Sequence, residues 1–213
     1  MPAAALAAVA AHDLLQRKHA ILRNSPVVGH ARFGVSHRMS GSADAVRLLL
    51  MADTHVPKRA KELPPQLWRA VDDADVVIHA GDWVRVDLLD ALEARATRLV
   101  GVFGNNDGPD LRARLSEVAR VELAGLRLAV VHETGQAVGR EQRCEALYAD
   151  VDVLVFGHSH IPWDTSTPRG LRLLNPGSPT DRRRQPACTY MSAVAREGVL
   201  GDVRLHRLPL HRG

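Results

Sequence analysis

Apolar runs that each stop at polar or ionisable residues recur through the middle of this chain. The first run, Val46–Met51, is followed by Asp53 and His55. A short apolar run of this kind is typical of a buried strand, whose end delivers the next side chains to an edge of the sheet. The same arrangement recurs for the runs over residues 75–80, 97–103, 126–131 and 151–156. The pattern therefore predicts five strands that carry polar residues to one place.

The polar residues that follow these runs are of types that bind metals in proteins. They are Asp53, His55, Asp82, Asn105, Asp107, His132, His158 and His160. In open α/β sheets, binding sites form at the carboxyl ends of the strands. We therefore expect one metal site assembled from five loops, with glycine at positions 81 and 104 letting the backbone come close to an ion.

The remaining segments predict an α/β protein. Helices are expected over residues 65–71, 86–94 and 141–148, a hairpin over 118–123 and 126–131, a turn at Gly108-Pro109, and later strands over 171–174, 189–195 and 203–208. The early half alternates strand and helix, whereas the late half is mostly strand. This order favours two sheets packed face to face with helices outside.

The first part of the chain has a different character. Residues 1–20 are compatible with an amphipathic helix, and residues 24–42 show no sustained period, which predicts a loop or disorder. We expect a partly disordered or dispensable extension over 1–46, one domain over 47–208, and a tail over 209–213. One hypothesis is that the working polypeptide begins at Met39, which mass spectrometry of the native N-terminus would test.

Composition excludes several classes of protein. The 213 residues are 46% apolar, which suffices for a core, yet no segment reaches the roughly 18 apolar residues of a membrane span. The alanine-rich start lacks the basic residue of a secretory signal, and two cysteines make no disulfide framework. We therefore expect a cytoplasmic protein. The net charge of +4 is scattered and gives little support to a stable nucleic-acid partner; homo-oligomerisation stays open.

The set of donors indicates a catalytic rather than a structural metal site. Imidazole and oxygen donors without thiolate suit Mn²⁺, Fe²⁺, Ni²⁺, Co²⁺ or Zn²⁺ in five- or six-fold coordination. The seven groups other than Asp107 exceed the needs of one ion, but two ions about 3.5–4 Å apart would use them all if Asp82 bridges. Such a pair lowers the pKa of a bound water and neutralises charge on phosphate oxygens, which suits phosphoryl transfer.

The motif series resembles a known family. The motifs, in chain order, are Asp53-x-His55, Gly81-Asp82, Gly104-Asn105-x-Asp107, His132 and Gly157-His158-x-His160. They resemble those of the calcineurin-like metallophosphoesterases, in particular the small single-domain bacterial and archaeal phosphodiesterase branch, which also carries Asn175-Pro176-Gly177-Ser178. The resemblance covers residues 47 to about 208. It implies a four-layer αββα sandwich, in which two mixed sheets are flanked by helices.

The resemblance also implies roles for individual residues. Asp53, His55, Asp82 and His160 would bind one divalent ion, and Asp82, Asn105, His132 and His158 the other. Mn²⁺ is the first expectation, and Ni²⁺, Fe²⁺, Co²⁺ and Zn²⁺ are alternatives. Catalytic contributions fall to Asp82, Asn105, His132 and Asp107, of which Asp107 would orient a ligand. Asn175 and Ser178 would shape the site wall. A metal-bridged hydroxide would attack the phosphorus of a small phosphoester, with no covalent protein intermediate.

One departure from the family pattern bears on the substrate. Many members have a histidine after the metal-binding asparagine, where this chain has Asn106. An amide has no useful pKa, so a general acid worth about 10²–10⁴ in rate would be missing. Diesters, or substrates with good leaving groups, are therefore favoured over simple monoesters. Glu133 stands where glycine often occurs and offers a further carboxylate.

Several other residues near the motifs have alternative interpretations. His79 is expected to be buried and structural, and Trp83 and Trp163 are expected to pack at the rim of the site. The run 182–184 is interpreted as a solvated charge run or as a phosphate attractor. Two alternative functions also remain: a phosphomonoesterase, and a non-catalytic scaffold like the retromer subunit that resembles this fold. The complete donor set argues against the scaffold.

Overall fold

The computed structural model of the chain describes residues 45–209. The predicted helix over 1–20, the loop over 24–42, and residues 210–213 of the predicted tail lie outside the described residues. Among the residues that are described, no helix is long and apolar enough to cross a membrane.

Ten strands form two mixed sheets of five strands each. They are β1 (Val46–Met51), β2 (Val76–Ala80), β3 (Leu99–Val102), β4 (Val118–Leu123), β5 (Leu126–Val131), β6 (Val153–Val155), β7 (Trp163–Ser166), β8 (Arg172–Asn175), β9 (Cys188–Arg196) and β10 (Val199–Leu208). The first sheet has the order β10-β9-β1-β2-β3, and the second has the order β4-β5-β6-β8-β7. Strands β1, β2 and β3 are parallel to one another, as are β5, β6 and β8.

Four helices are described. They are α1 (Pro65–Asp73), α2 (Val86–Arg95), α3 (Pro109–Arg114) and α4 (Arg140–Leu147). Helix α1 begins with proline in its first turn, where a missing backbone N–H costs nothing. Helix α2 buries three leucines, Leu88, Leu89 and Leu92, whose spacing places them on one face.

Alternation along the central strands explains how the layers pack. In β1, Leu48 and Leu50 face a core shared with the second sheet, whereas Leu49 and Met51 face the core that contains α1 and α2. In the second sheet, Leu154 of β6 instead packs in a third core, together with Cys144 of α4. Because each sheet packs against a core on both faces, the sequences of the central strands are continuous apolar runs. The prediction of an αββα sandwich is confirmed.

Element boundaries differ from the predictions by a few residues at most places, and two elements were missed. Helix α3 was predicted only as a turn at Gly108-Pro109, because it has six residues and begins at the proline. Strand β7 was not predicted because it has four residues and lies at a sheet edge. Strand β10 starts at Val199 rather than at residue 203, and its register shifts between Gly201 and Arg204.

The strand registers bring the carboxyl ends of five strands together. Met51 of β1 pairs with His79 of β2, and Ala80 of β2 pairs with Val102 of β3. The turns after these three strands therefore leave the first sheet side by side. In the second sheet, β5 and β6 are likewise parallel neighbours and end together.

The core between the sheets should tolerate cavities poorly. Leu50 is fully buried there, so Leu50→Ala should lower the free energy of unfolding by about 2–5 kcal/mol. Val199→Ala is the matched control, because Val199 is 66% exposed and the change should cost under about 0.5 kcal/mol. Urea unfolding of both variants measures the difference. Equal stability of the two variants would contradict the packing described above.

Candidate metal centre

The seven predicted ligands lie together where the strands end. Three of them, Asp53, His55 and His160, form a first group, and Asn105, His132 and His158 form a second. Asp82 lies between the groups, because its Oδ2 is 3.6 Å from His55 Nε2 and 3.4 Å from His132 Nε2.

The first group is closed off from solvent. The Nε2 atoms of His55 and His160 are 3.1 Å apart, and His160 Nε2 is 3.5 Å from Asp53 Oδ1. Asp53 is fully buried, yet its Oδ2 accepts no hydrogen bond from any described residue. A buried carboxylate oxygen without a partner is costly, and a cation is the partner that would relieve it. The donor set therefore fits a metal ion.

The second group is open to solvent. The Asn105 side-chain oxygen lies 3.0 Å from His132 Nε2 and 2.9 Å from His158 Nδ1. Asn105 and His158 are exposed, whereas His132 is buried. Glu133, the further carboxylate expected from the sequence, lies 3.1 Å from His158 Nδ1. A ligand would reach the centre from this side.

Backbone carbonyls fix the tautomers of two histidines. His132 Nδ1 donates to the Ala80 carbonyl oxygen over 2.8 Å, and His160 Nδ1 donates to the Asp181 carbonyl oxygen over 2.6 Å. When Nδ1 carries the proton of a neutral imidazole, Nε2 presents its lone pair. Both rings therefore aim a metal-binding nitrogen at Asp82 or Asp53, as the outer partners of metal-bound histidines commonly arrange.

Five of the seven residues adopt the left-handed backbone region. Their φ angles are 54° at Asp53, 44° at His55, 62° at Asp82, 68° at His158 and 58° at His160. Residues other than glycine rarely adopt this region, and each instance costs of order 1 kcal/mol. These turns point the side chains out of the strand ends into one space. Such clustering of strain is typical of functional sites.

The two buried carboxylates titrate in opposite directions. Burial raises the pKa of Asp53 to about 8, helped by the charge of Asp82 and opposed by His132. Burial also favours a higher pKa at Asp82, but hydrogen bonding to His132 and Asn106 outweighs it and moves the Asp82 pKa below its ordinary value. Asp82 is therefore the charged member of the pair at neutral pH.

Burial keeps the two histidines of the first group neutral. Burial lowers the pKa of His55, and it lowers the pKa of His160 to about 4. At His132 burial acts in the same direction, but the interactions with Asp82 and Asp53 outweigh it and raise the pKa. Neutral imidazoles in the first group are in the protonation state that binds a metal.

Asp107 holds loops together rather than joining the donors. Its Oδ2 accepts from the backbone nitrogens of Asp82, at 3.0 Å, and Gly104, at 2.7 Å, and its Oδ1 accepts from that of Val84 at 2.8 Å. The carboxylate thereby ties the turn after β2 to the turn after β3. Asp107 thereby fixes the backbone of Asp82; its orienting role in a metal centre stays a prediction.

Asn175 and Ser178 brace the remaining turns. The Asn175 amide nitrogen donates to the Gly157 carbonyl oxygen over 2.8 Å, just before His158. The Ser178 hydroxyl donates to the Asp53 carbonyl oxygen over 2.7 Å. The two side chains therefore support the turns that carry ligands in both groups.

Sequence reasoning missed a loop and misplaced one tryptophan. The loop is Thr180-Asp181, which contacts Thr54 and His160; its only sequence signal is its place after Asn175-Pro176-Gly177-Ser178. Trp83 does not lie at the rim: it is fully buried, stacks on His79 at 3.5 Å, and donates from Nε1 to Val102. The left-handed turn at Asp82 directs Trp83 inward, which sequence spacing does not reveal. His79 is buried, as predicted.

The sequence motifs and this geometry belong to a recognised domain family. Residues 46–198 match the calcineurin-like phosphoesterase superfamily domain. The chain belongs to this superfamily. A probable metallophosphoesterase of Methanocaldococcus jannaschii is 35% identical over 146 residues, which are 68% of this chain and 72% of that protein. A phosphodiesterase of the same organism is 23% identical over 171 residues, which are 73% of this chain and 92% of that protein.

Solved structures of other proteins have a similar fold. Wild-type Vps29 of Entamoeba histolytica, solved in complex with Zn²⁺, has a TM-score of 0.61 and 21% identity, with 76% of this chain and 98% of that chain covered. Metallophosphoesterases use divalent metals, and two candidate donor clusters occur among the described residues of this calcineurin-like phosphoesterase. They are Asp53, His55 and His160, and Asp53, Asp82 and His132.

Gly104 should be needed for metal binding. A Cβ at this position would lie 2.5 Å from the Asp82 backbone nitrogen and 2.9 Å from its Cγ, so Gly104→Ala must displace Asp82. We expect the affinity for Mn²⁺, measured by calorimetry, to fall by about 10–100-fold. Gly108→Ala, in the same loop, meets nothing within 4 Å and should bind as the wild type does. Equal affinities for the two variants would contradict this account.

Metal affinity should depend on pH through Asp53. In protein stripped of metal by a chelator, Asp53 with a pKa of about 8 carries a proton at pH 7, which an arriving cation must displace. Affinity should therefore rise about tenfold per pH unit from pH 6 towards 8 and then level off. Calorimetric titration with Mn²⁺ at several pH values measures this slope. A flat profile between pH 6 and 8 would show that Asp53 is already ionised.

Proposed function

We propose that this chain is a metal-dependent phosphodiesterase whose centre holds two divalent ions, with Mn²⁺ the first to test. The observation that carries the proposal is the position of Asp82, whose Oδ2 lies within 3.6 Å of a histidine nitrogen from each group. A carboxylate shared in this way allows two ions to use all seven donors. Asp53, His55 and His160 would hold one ion, and Asn105, His132 and His158 the other.

The charge and the orientation of Asp82 suit the binding of such ions. Bound divalent ions would supply a lowered pKa for a bound water and would offset charge on the phosphate oxygens. Asp82 stays charged because its pKa is lowered. Asn106 orients that carboxylate: its backbone nitrogen donates to Asp82 Oδ1 over 2.8 Å, and its Nδ2 donates to Oδ2 over 2.6 Å.

The side chain of Asn106 supports a diester as substrate. It occupies the place where many family members carry a protonating histidine, and an amide cannot supply a proton to a leaving group. Substrates whose leaving group departs without that help are therefore favoured. The name of the phosphodiesterase from M. jannaschii, at 23% identity, points in the same direction.

A second candidate function is a non-catalytic scaffold of the same fold. It is favoured by the likeness to Vps29 structures, which include a Zn²⁺ complex at 21% identity. The scaffold and the enzyme differ in turnover: a scaffold would not hydrolyse phosphoesters, whether or not it binds a metal. Assays of hydrolysis across several divalent metals separate the two functions.

Removing the charge of Asp82 should abolish catalysis. Asp82→Asn keeps the shape of the side chain but removes the carboxylate on which both proposed ions depend, so hydrolysis of bis-p-nitrophenyl phosphate with Mn²⁺ should fall by at least about 10²-fold. Asp87→Asn is the control, because Asp87 is exposed and pairs only with nearby Arg85 among the described residues. Activity retained in Asp82→Asn would overturn the proposed mechanism.

A further inference from the structure

The loop after β8 is fastened to the first group of donors. The Ser178 hydroxyl donates to the Asp53 carbonyl oxygen over 2.7 Å, and the Thr180 hydroxyl donates to the Thr54 carbonyl oxygen over 2.5 Å. The Asp181 carbonyl oxygen accepts from His160 Nδ1 over 2.6 Å. Residues 178–181 are therefore held against the turns that carry the donors, and the next residues extend from a fixed base.

The Asp181 carboxylate then positions two arginines at the edge of the site. Its Oδ1 accepts from the backbone nitrogen of Arg183 over 3.2 Å, and its Oδ2 lies 3.3 Å from Arg59 Nε. The backbone nitrogen of Arg59 donates to the His55 carbonyl oxygen over 2.9 Å. Both arginines are exposed, so their guanidinium groups are accessible to a ligand.

Arg183 differs from its neighbour in its surroundings. The guanidinium of Arg182 is occupied, because its Nη1 donates to the Gln185 carbonyl oxygen over 2.8 Å. No side-chain hydrogen bond or ion pair to a described residue occupies the guanidinium of Arg183. Its backbone has φ of 47°, a strained value that is typical of functional loops.

A cation beside a centre that binds divalent ions is unfavourable unless an anion lies between them. The reacting phosphoryl group would be neutralised by the ions themselves. The exposed guanidinium of Arg183 is therefore available to bind an additional anion, and its planar fork matches a phosphate group.

The other side of the centre carries more negative than positive side chains. A groove of about 200 Å³ beside Asn105 and His132 is lined by the carboxylates of Glu117 and Glu133 and by the guanidinium of Arg112. Arg112 already donates to the carbonyl oxygens of Asp107 and Gly104, so a second anionic group is less favoured there than beside Arg183. The charges therefore orient a substrate, with its additional anionic end towards Arg183.

We propose that Arg183, supported by Arg59, binds a second phosphate of the substrate, so that the preferred substrates are phosphodiesters that carry a further terminal phosphate. This inference rests on the proposed phosphodiesterase activity and narrows its substrate class.

Three dinucleotides test the proposal: thymidylyl-thymidine, and the same diester with a phosphate at its 5′ end or at its 3′ end. With Mn²⁺, the wild-type chain should hydrolyse one phosphorylated form at least about tenfold more efficiently than the plain diester, mainly through a lower KM. Arg183→Gln should remove this preference, by raising the KM of the phosphorylated form to that of the plain diester.

The control is Arg196→Gln, which removes the same charge at the opposite end of the first sheet. Arg196 follows Ala195, which pairs with Val46 at the start of β1, whereas the donors follow the end of β1. This variant should keep the preference. Equal rates for the three dinucleotides in the wild-type chain, or a preference that survives in Arg183→Gln, would overturn the inference.

Bis-p-nitrophenyl phosphate separates the two proposals. If it is hydrolysed while the dinucleotides show no preference, the phosphodiesterase assignment stands and the Arg183 inference fails. If nothing is hydrolysed, the phosphodiesterase assignment fails, and calorimetric binding of the three dinucleotides decides the inference alone. Tighter binding of a phosphorylated form that is lost in Arg183→Gln supports it, and equal binding overturns it.

Discussion

The Asp82 carboxylate is the group on which the arrangement of the whole site depends. It is buried between histidines that come from two different sheets, 3.4 Å from His132 and 3.6 Å from His55. An isolated charge in such a place is unfavourable by several kcal/mol, on the order of the cost of any buried ion. Asn106 donates one hydrogen bond to each carboxylate oxygen, which leaves the negative charge without a full counter-charge. A divalent metal ion would supply that positive charge.

The rest of the scaffold holds strained turns in place around that carboxylate. Left-handed residues such as Asp53, Asp82 and His158 turn the chain out of a strand within one or two positions. Each turn is unstable by itself, so neighbouring groups must fix it. Asp107 does so for the turns after β2 and β3, and Asn175 does so for the turn before His158. The positions of the donors therefore depend on the side chains that stabilise these turns.

Much of this could be predicted from the sequence because one pattern recurs. A buried strand that ends in Asp, Asn or His is visible in the order of apolar and polar residues, and parallel neighbours bring such ends together. Short helices and loops show no such recurring pattern of apolar and polar residues. Helix α3 has only six residues, which are too few to show a helical period. The contact of Asp181 with His160 joins positions 21 residues apart, so local sequence does not predict it. The inward direction of Trp83 depends on a left-handed turn that local sequence does not specify.

The proposed function requires two cations that share Asp82. Anomalous scattering from crystals grown with Mn²⁺ tests it most directly, because it locates each ion independently of the protein atoms. We expect two peaks about 3.5–4 Å apart, one near His55 and His160 and the other near His132 and His158, with Asp82 contacting both. A single peak, or two peaks of which only one contacts Asp82, would contradict it.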